Sequence, residues 1–523
     1  MGDIAFLKQL VIKIVPSIQL VIYEPSLNVF FKVIENIDLS FLFEDRIPAL
    51  IVDGLNGEEK KAILEKLVTL ANIEFIKHYE NRSCAALFSA QVIDFMKLLG
   101  KTVEDVIVGR NTEIRYSAVE MDNLFHNIKY LCEGSITTQL CDIIPTDIPA
   151  IIVSAGPSLN KNIMELKRAK NKAFIVAVDT AVRPLVNAGI IPDMYVIVDG
   201  LKPKELLDFD EAKRIPLMPS ITSTKEILEN HTGKKIFWFE GQRFIWSMMM
   251  MNGVPFSTVA CGGSVACSAF SLVYKLGFSR IILVGQDLAL TGNKTHADGT
   301  FKSIMDEIDT SRCIKVPGNY EEEVPTRGDF KLYLDWFNYY IKGCEGIHVI
   351  NATEGGAKID NTEIMTLHDA IMRECIKEVD IDACFEKLKP IFDAEQQHKA
   401  LEYLKTFPEM YRKLKKKVIK LNNEYQKLKT ICGKSIIDKN AYLKALKNIK
   451  NLTQEIEKHE LYDTISCTLT VANYIIESEQ FYEEDTVAAE GLQIAKQGIA
   501  YTKMVEQCID LFIPLTEETL LTL

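Results

Sequence analysis

The chain has 523 residues, a formal net charge of −12, 47% hydrophobic residues and 25% charged residues. This composition is typical of a folded globular protein and excludes a chain dominated by disorder. The acidic balance argues against nucleic acid as the main partner, because binding to a phosphate backbone needs a basic surface.

The sequence predicts neither a membrane span nor an export signal. The best candidate span, Leu7–Tyr23, is interrupted by Lys8, Lys13 and Pro16, and no basic stretch precedes an apolar core at the N-terminus. We therefore expect a cytoplasmic protein without membrane insertion. The histidines and cysteines form no metal-ligand motif, so no metal site is expected.

Residues 1–145 predict an N-terminal α/β domain. Ala49–Asp53 is typical of a short buried strand and Gly54–Gly57 of a turn. Glu58–Leu70 has apolar residues at helical spacing, and Ile73–Phe75 has the composition of a further strand. No pattern in this domain points to chemistry.

Residues 146–360 predict a central domain in which short apolar runs alternate with helical patterns such as Asn162–Ala169 and Val265–Leu276. The runs are Ala150–Val153, Ala173–Val178, Met194–Val198, Ile236–Phe239, Ile281–Val284 and His348–Ile350. This alternation predicts an α/β fold with a central, doubly wound, mostly parallel sheet. In such sheets ligands bind in loops beyond the carboxyl ends of the strands.

Residues 361–523 predict a helical domain. Apolar residues recur in steps of three and four from Tyr411 to Cys432 and again from Tyr442 to Ile456, which predicts a helical hairpin with its turn near Gly433–Asn440. The first arm carries the basic residues Arg412, Lys413, Lys415, Lys416, Lys417 and Lys420. A solvated helix face and a docking surface for a protein partner both explain this charge.

The loop Ser154–Asn160 directly follows the predicted strand Ala150–Val153 and carries the strongest local signal. Gly156 allows the backbone to approach a ligand closely, and Pro157 suits the first turn of a helix. The amide groups of such a turn favour an anion such as phosphate. A nucleotide site and a merely structural turn are both open on these residues alone.

Polar residues also follow the neighbouring strands. Asp179–Thr180 and Asp199–Gly200 end the next two strands, and an acidic residue in such a position commonly binds a ribose hydroxyl. The other candidate loops are Cys261–Ser264, Gly285–Ala289 with the following Thr295–Ala297, and Asn351–Gly356. We expect the loops to converge on one crevice if they leave the same edge of the sheet.

Several motifs occur in the order SAGPSL (Ser154–Leu159), VDTA (Val178–Ala181), GIIPD (Gly189–Asp193), GGSVA (Gly262–Ala266), VGQDLA (Val284–Ala289) and NATEGG (Asn351–Gly356). In this combination the chain resembles the motility-associated factor (Maf) family of bacterial flagellin glycosyltransferases. The resemblance implies transfer of a nonulosonic acid, a sialic-acid-like sugar, from a cytidine monophosphate (CMP) donor to Ser or Thr hydroxyls of flagellin. The partners implied are flagellin and the CMP-activated sugar, and the helical domain becomes a candidate for flagellin docking.

The central region is also distantly similar to bacterial CMP-dependent sialyltransferases, which implies a sialyltransferase-like sheet. This chain has Ala155 and Asp179 where those enzymes carry Asn, and no His near Pro325–Asp329, where their catalytic His would fall. The general base is therefore not carried over by position. His296 and Asp287 are the catalytic candidates, because an acceptor hydroxyl is a weak nucleophile that benefits from a base.

The resemblance and the loop positions together imply roles for individual residues. The residues expected to bind the nucleotide are Gly156, Pro157, Ser158, Asp179, Thr180, Gly262, Gly263, Ser264 and Gln286. Those expected to bind the sugar or the acceptor are Thr353, Glu354 and Gly355. A CMP leaving group held by helix N-termini and hydroxyls needs no metal or other cofactor, so none is expected.

Two alternatives stand beside this hypothesis. Archaeal 6-hydroxymethylpterin diphosphokinases are similar in the Gly-Pro-Ser and Asp-Thr motifs, and such an enzyme would bind ATP and Mg²⁺. A non-catalytic flagellin-binding assembly factor with a decayed sugar site is the other, although the polar residues in all the candidate loops argue against it.

Overall fold

The computed structural model describes residues 4–13, 18–43, 47–69, 72–239, 241–301, 310, 313–469 and 486–522. The chain divides into two compact units, each built from separate segments. The first unit comprises Met1–Ser117 and Tyr411–Leu511, and the second comprises Ala118–Met410 and Phe512–Leu523. The domain boundaries near residues 145 and 360 rest on composition and stay a prediction.

The N-terminal part of the first unit is a small α/β layer in which strands β1 (Val21–Glu24) and β2 (Ala49–Val52) pair in parallel. Its helices are α1 (Ile4–Lys13), α2 (Leu27–Ile34), α3 (Lys60–Leu67), α4 (Arg82–Leu87) and the start of α5 (Ser89–Glu133). The predicted strand at Ile73–Phe75 is wrong. The amide of Phe75 donates to the carbonyl of Asn72, which closes a local turn instead.

The C-terminal helices are α15 (Phe407–Cys432), α16 (Lys439–Glu457), α17 (Tyr462–Thr468) and α18 (Val487–Thr522). The predicted hairpin is confirmed, because α15 ends and α16 begins on either side of the expected turn. The apolar positions that predicted it are buried, including Leu414 and Val418 on α15 and Ala445 and Ile449 on α16. Packing of these stripes stabilises helices whose outer faces are charged.

The second unit is built on a seven-stranded parallel sheet with the order β13-β12-β9-β4-β5-β6-β7. Its strands are β4 (Ala150–Val153), β5 (Phe174–Val178), β6 (Met194–Ile197), β7 (Leu217–Pro219), β9 (Arg280–Val284), β12 (His348–Asn351) and β13 (Glu363–Ile364). The central strands β4, β5 and β6 are buried along their whole length. Burial on both faces explains their continuous apolar sequences and confirms the predicted doubly wound sheet.

Five strands differ from the sequence prediction. The run Ile236–Phe239 contributes β8 (Ile236–Phe237) to a separate pair with β3 (Ser135–Ile136). Strands β7 and β13 were not predicted, because runs of three and two residues are too short for a periodic signal. Two further strands, β10 (Ile314–Val316) and β11 (Val324–Thr326), form an antiparallel pair.

The remaining helices of this unit are α6 (Leu159–Asn162), α7 (Asp179–Asn187), α8 (Lys225–Asn230), α9 (Arg243–Met251), α10 (Val265–Lys275), α11 (Gly328–Lys342), α12 (Leu367–Glu374), α13 (Ile381–Glu386) and α14 (Ala394–Lys405). The sheet order reverses between β4 and β9, because the chain passes from β4 outward to β7 and then returns to β9 on the other side. A crevice is therefore expected beyond the carboxyl ends of β4 and β9. Helix α10 packs against β4, β5 and β6 and leads into β9.

Within the described residues, no helix is both long enough and apolar enough to cross a lipid bilayer.

Candidate functional site

The loops that follow β4, β9 and β12 meet at the point where the sheet order reverses. The hydroxyl of Ser154 donates to Oε1 of Gln286 over 2.5 Å, and the amide of Gln286 donates to the hydroxyl of Thr353 over 3.1 Å. The side-chain amide of Asn162 donates to Oε1 of Glu354 over 3.0 Å. The predicted convergence of these three loops is confirmed.

Asp287 is the centre of this loop cluster. Its carboxylate accepts hydrogen bonds from the Ser158 hydroxyl at 2.6 Å, the Ser158 amide at 3.1 Å and the Thr291 hydroxyl at 2.7 Å. Asp287 is only 3% exposed. Burial raises the pKa of this carboxyl above its usual value, and the hydrogen bonds from Ser158 and Thr291 offset only part of that shift.

The carboxylate of Asp287 and the carbonyl of Gly285 therefore occupy the hydrogen-bonding positions of the Gly156 turn. The amide of Gly156 donates to the carbonyl of Gly285 over 2.8 Å, and that of Leu159 donates to the carbonyl of Gly156. A Cβ on Gly156 would lie 2.1 Å from Oδ1 of Asp287. The amides of Gly156 and Ser158, which were expected to be free for a phosphate, donate to Gly285 and to Asp287 in this structure. The assignment of Gly156, Pro157 and Ser158 to the nucleotide stays a prediction.

The same contacts hold Asp287 and the loop after β12 in place. Both Asp287 oxygens accept hydrogen bonds from donors inside the loops, and a catalytic role for Asp287 stays a prediction. Thr353 is fully buried, and Glu354 also accepts from the amide of Leu367 at the start of α12. Gly355 is buried, and its carbonyl accepts from Asn319. These contacts hold the loops together, and the expected sugar or acceptor contacts of Thr353, Glu354 and Gly355 stay a prediction.

His296 lies beside the Gly156 turn. The amide of Ala297 donates to the carbonyl of Ala155 over 2.8 Å, which brings this segment to the carboxyl edge of the sheet. Nδ1 of His296 lies 2.9 Å from the hydroxyl of Thr295. The half-buried His296 thus keeps the position of a base candidate, next to the crevice but outside the buried loop cluster.

The Gly263 turn, in contrast, opens at the start of α10. The hydroxyl of Ser264 accepts from the amide of Cys267 over 3.3 Å and so caps the helix. Among the described residues, no acceptor takes the amide hydrogens of Val265 and Ala266. Gly263 is exposed and has φ +80°, a conformation that favours glycine. This turn has the donors that the sequence analysis expected at both turns.

Tyr333 on α11 connects this turn to the end of β6. A Cβ on Gly263 would lie 3.0 Å from Cε1 of Tyr333, and a Cβ on Gly262 would overlap the Trp336 ring at 2.5 Å. Burial raises the pKa of the Tyr333 phenol to about 12, and the charges of Asp329 and Asp199 add to the shift. Because Asp199 follows β6, the open turn and the carboxyl edge of the sheet belong to one region.

An ion-pair cluster occupies the ends of β5 and β6. The ammonium of Lys202 lies 2.9 Å from Oδ2 of Asp179 and 3.1 Å from Oδ2 of Asp199. Burial disfavours the charged amine, but the two carboxylates outweigh it and raise the pKa of Lys202 above its usual value. The amide of Thr180 donates to Oδ1 of Asp179 over 2.7 Å. Asp179, the acidic residue expected at the end of the second strand, lies at that position and forms an ion pair with Lys202.

Comparison with solved structures identifies the fold. The structure of a MAf glycosyltransferase from Magnetospirillum magneticum AMB-1 matches with a TM-score of 0.58 at 15% identity, over 96% of this chain and 75% of that chain. The chain has the Maf glycosyltransferase fold. The resemblance drawn from the sequence motifs is confirmed at this level, together with the predicted N-terminal α/β and C-terminal helical regions.

Sequence comparisons match part of the Maf fold seen here. Residues 122–293 match the family described as 6-hydroxymethylpterin diphosphokinase MptE-like. An uncharacterized protein of Treponema pallidum (strain Nichols) is 24% identical over 144 residues, which make up 28% of this chain and 67% of that protein. Both similarities are to part of the chain.

Three residues that hold the loops at the carboxyl edge of the sheet in this Maf fold were not predicted from the sequence. Lys202 follows Asp199 by three residues after a buried strand, and this short spacing could have indicated the ion pair between them. Tyr333 gave no signal, because its partners lie on other loops. Asn123 on α5 donates to the carbonyl of Gly200 over 2.9 Å and to that of Thr222 over 3.1 Å, which anchors the loops after β6 and β7.

Within the part of the chain that the structure describes, no three His, Cys, Asp or Glu side chains cluster in a way that would hold a metal ion. Asp179 and Asp199 follow neighbouring strands of the sheet, and the ammonium of Lys202 lies between their carboxylates. Mg²⁺ prefers oxygen ligands at about 2.0–2.1 Å and usually keeps several waters. The described residues therefore do not fit a resident Mg²⁺ at this edge.

Proposed function

We propose that this protein is a glycosyltransferase that moves a nonulosonic acid from a CMP donor to Ser or Thr hydroxyls of flagellin. The observation that carries the proposal is the Maf glycosyltransferase fold over 96% of the chain. The ordered motifs support the finer assignment of donor and acceptor, and the open start of α10 supports an anionic ligand at the carboxyl edge of the sheet.

The donor phosphate is assigned to the Gly263 turn. The amides of Val265 and Ala266 and the hydroxyl of Ser264 stand at the positive end of an eleven-residue helix. In the transfer, the bond between the anomeric carbon and the CMP phosphate oxygen breaks, and charge develops on the departing phosphate. The phosphodiester of the bound donor carries one negative charge and the departing CMP gains a second, so helix amides aimed at the phosphate stabilise the transition state more than the ground state.

The acceptor hydroxyl needs a group that takes its proton as its oxygen bonds to the anomeric carbon. His296 is assigned this role, because imidazole has a suitable intrinsic pKa and the residue lies beside the loop cluster rather than inside it. Asp287 contributes indirectly. It holds the Ser158 turn against the loop after β9, which positions the segment that carries His296.

Flagellin docking is assigned to a basic face on α15. Lys415 pairs with Glu506 and Asp510, and Lys417 pairs with Glu455. Lys413, Lys416 and Lys420 are exposed at a spacing of three and four residues, with no carboxylate within 4 Å among the described residues. We call these three lysines the basic face. It fits an acidic surface on the acceptor protein.

One experiment separates this proposal from its alternatives. Purified full-length protein is mixed with flagellin and a CMP-nonulosonate, and the intact mass of flagellin is measured. A mass increase equal to one or more sugar residues, dependent on the protein, is the expected result. Flagellin binding without any increase would favour the non-catalytic assembly factor.

The match of residues 122–293 to the MptE-like family favours a 6-hydroxymethylpterin diphosphokinase as the second candidate. Incubation with ATP, Mg²⁺ and 6-hydroxymethylpterin tests it directly, with AMP release as the readout. We expect none above a protein-free control, because the ammonium of Lys202 already lies between the two carboxylates at the sheet edge that would hold Mg²⁺. AMP formation at enzymatic rates would replace the first proposal by the second.

A further inference from the structure

The carboxylates of Asp179 and Asp199 stand where a metal ion for a nucleotide would be held in a parallel sheet. They follow the neighbouring strands β5 and β6, so they leave the same edge of the sheet. Asp179 is almost completely buried, with a side chain 2% exposed, whereas that of Asp199 is 43% exposed. Two carboxylates so close together attract a cation, and a buried carboxylate without one is costly.

The cation present is the ammonium of Lys202, at 2.9 Å and 3.1 Å from the two carboxylates. Its position is fixed by the backbone as well as by charge. The Lys202 amide donates to the Thr224 hydroxyl over 2.9 Å, and that hydroxyl donates to the carbonyl of Asp199 over 3.2 Å. Asn123 holds the intervening Gly200 carbonyl from α5. The lysine is therefore part of an anchored loop and not a mobile surface side chain.

We propose that Lys202 is the resident cation of this edge: it takes the position of a divalent metal between Asp179 and Asp199, and so restricts the crevice to a nucleotide that needs no metal ion. The proposal rests on the proposed function for the identity of that nucleotide, a CMP-sugar.

Geometry and charge both support this assignment. A divalent ion bound to the same carboxylate oxygens, at about 2.0–2.6 Å from each, would lie in direct contact with the ammonium. Two cations at such a distance repel strongly where solvent is largely excluded. The cluster keeps one net negative charge, and the more exposed Asp199 can accept hydrogen bonds from ribose hydroxyls. The phosphate then lies at the Gly263 turn, beside Tyr333.

A metal-binding titration tests the proposal without relying on catalysis. The loss of free Mn²⁺ signal is followed by electron paramagnetic resonance for the wild type, for the single variants Lys202→Ala and Asp199→Asn, and for the double variant that carries both changes. We expect Lys202→Ala to bind Mn²⁺ about tenfold or more tighter than the wild type, and the double variant to lose that gain. Wild-type Mn²⁺ binding that disappears on Asp199→Asn would overturn the proposal, as would a folded Lys202→Ala that gains no site.

Lys170→Ala is the matched control. Lys170 pairs with Asp193, whose side chain is fully buried, and this pair lies at the start of β6 rather than its end. Its removal leaves one carboxylate without its lysine instead of two, so destabilisation is expected without a new Mn²⁺ site. A gain of Mn²⁺ binding equal to that of Lys202→Ala would mean that any unpaired buried carboxylate explains the result, and would overturn the assignment.

A second measurement covers the case in which Lys202→Ala does not fold. The wild-type affinity for CMP is measured by calorimetry in EDTA and in millimolar Mg²⁺, and we expect the two dissociation constants to agree within about twofold. A tenfold gain in affinity with Mg²⁺ would overturn the metal-free site. Absence of CMP binding in both buffers would instead count against the proposed function, and the wild-type Mn²⁺ titration would still decide the role of Lys202.

Discussion

The hydroxyl of Ser158 donates to the carboxylate of Asp287 over 2.6 Å and joins the loop after β4 to the loop after β9. The two residues are 129 positions apart in the chain, and neither is exposed to solvent. This bond closes one of the two glycine turns at the carboxyl edge of the sheet. We therefore propose the other turn, at the start of α10, as the site of a ligand anion.

Asp287→Ala is expected to lower the free energy of unfolding by about 3 kcal/mol, because the Ser158 and Thr291 donors lose their acceptor inside the protein. Urea unfolding followed by circular dichroism measures the change. The matched control is Asp298→Ala, which removes an exposed carboxylate that pairs with Lys294 on the surface and should change stability by less than about 0.5 kcal/mol. Equal effects of the two variants would contradict a structural role for Asp287.

The sequence predicted most of this edge, because local patterns determine it. The apolar runs at Ala150–Val153 and Ile281–Val284 became central strands, since strands buried on both faces need continuous apolar residues. The Ser that follows two glycines became the cap of α10, since capping depends on neighbouring residues. Sequence reasoning works well where the partner of a residue lies within one turn of it.

What the sequence did not predict depends on distant partners. Gly156 and Gly263 gave the same local signal, yet Asp287 closes the first turn, whereas no carboxylate of the described residues accepts from the amides of the second. Only the return of the chain to β9 on the far side of β4 brings Asp287 to Ser158. In the same way, Lys202 was passed over because Asp179, its buried partner, belongs to another strand. The order of the strands in the sheet therefore determines both the Ser158–Asp287 contact and the Lys202–Asp179 ion pair.

His231 gives the protein a predictable dependence on pH. It is 4% exposed, and its Nδ1 lies 3.2 Å from the hydroxyl of Tyr195. Burial, with the charge of Lys235 adding to it, lowers the pKa of His231 from 6.5 to about 3. Below pH 6.5 the unfolded chain binds a proton that the folded chain does not, so stability is lost as the pH falls toward 3.

Between pH 6.5 and pH 5 the wild type should therefore lose about 2 kcal/mol more stability than His231→Asn, which has no titrating group at this position. Urea midpoints measured at closely spaced pH values give the comparison. His398→Asn is the control, because this histidine lies on the surface-facing part of α14 and should leave the pH dependence as it is. Parallel curves for wild type and His231→Asn would show that His231 protonates in the folded protein.

The Gly263 turn is expected to decide donor affinity. Gly263→Val forces a side chain into a backbone conformation with φ +80° and against the Tyr333 ring, which shifts the amides at the start of α10. We expect CMP binding to weaken about tenfold or more, as measured by calorimetry. Gly253→Val is the matched control, since Gly253 has φ +65° and no atom within 4 Å of an added Cβ. It carries a similar backbone penalty away from α10, and a comparable loss of CMP affinity in this variant would contradict the assignment of the phosphate to the Gly263 turn.

We expect changes to the basic face on α15 to weaken flagellin association without changing the affinity for the donor. Reversing its charges with Lys413→Glu, Lys416→Glu and Lys420→Glu should weaken binding to flagellin about tenfold or more and flatten its dependence on salt, because attraction between the exposed charges is screened by ions. CMP affinity should not change, since these lysines lie in the first unit and the donor turn lies in the second.

The control triple variant carries the same charge change at exposed lysines of the second unit: Lys342→Glu, Lys387→Glu and Lys389→Glu. Flagellin binding by biolayer interferometry at several salt concentrations distinguishes the two. If both triple variants lose binding equally, net charge and not the basic face attracts flagellin, and if neither does, the acceptor docks elsewhere.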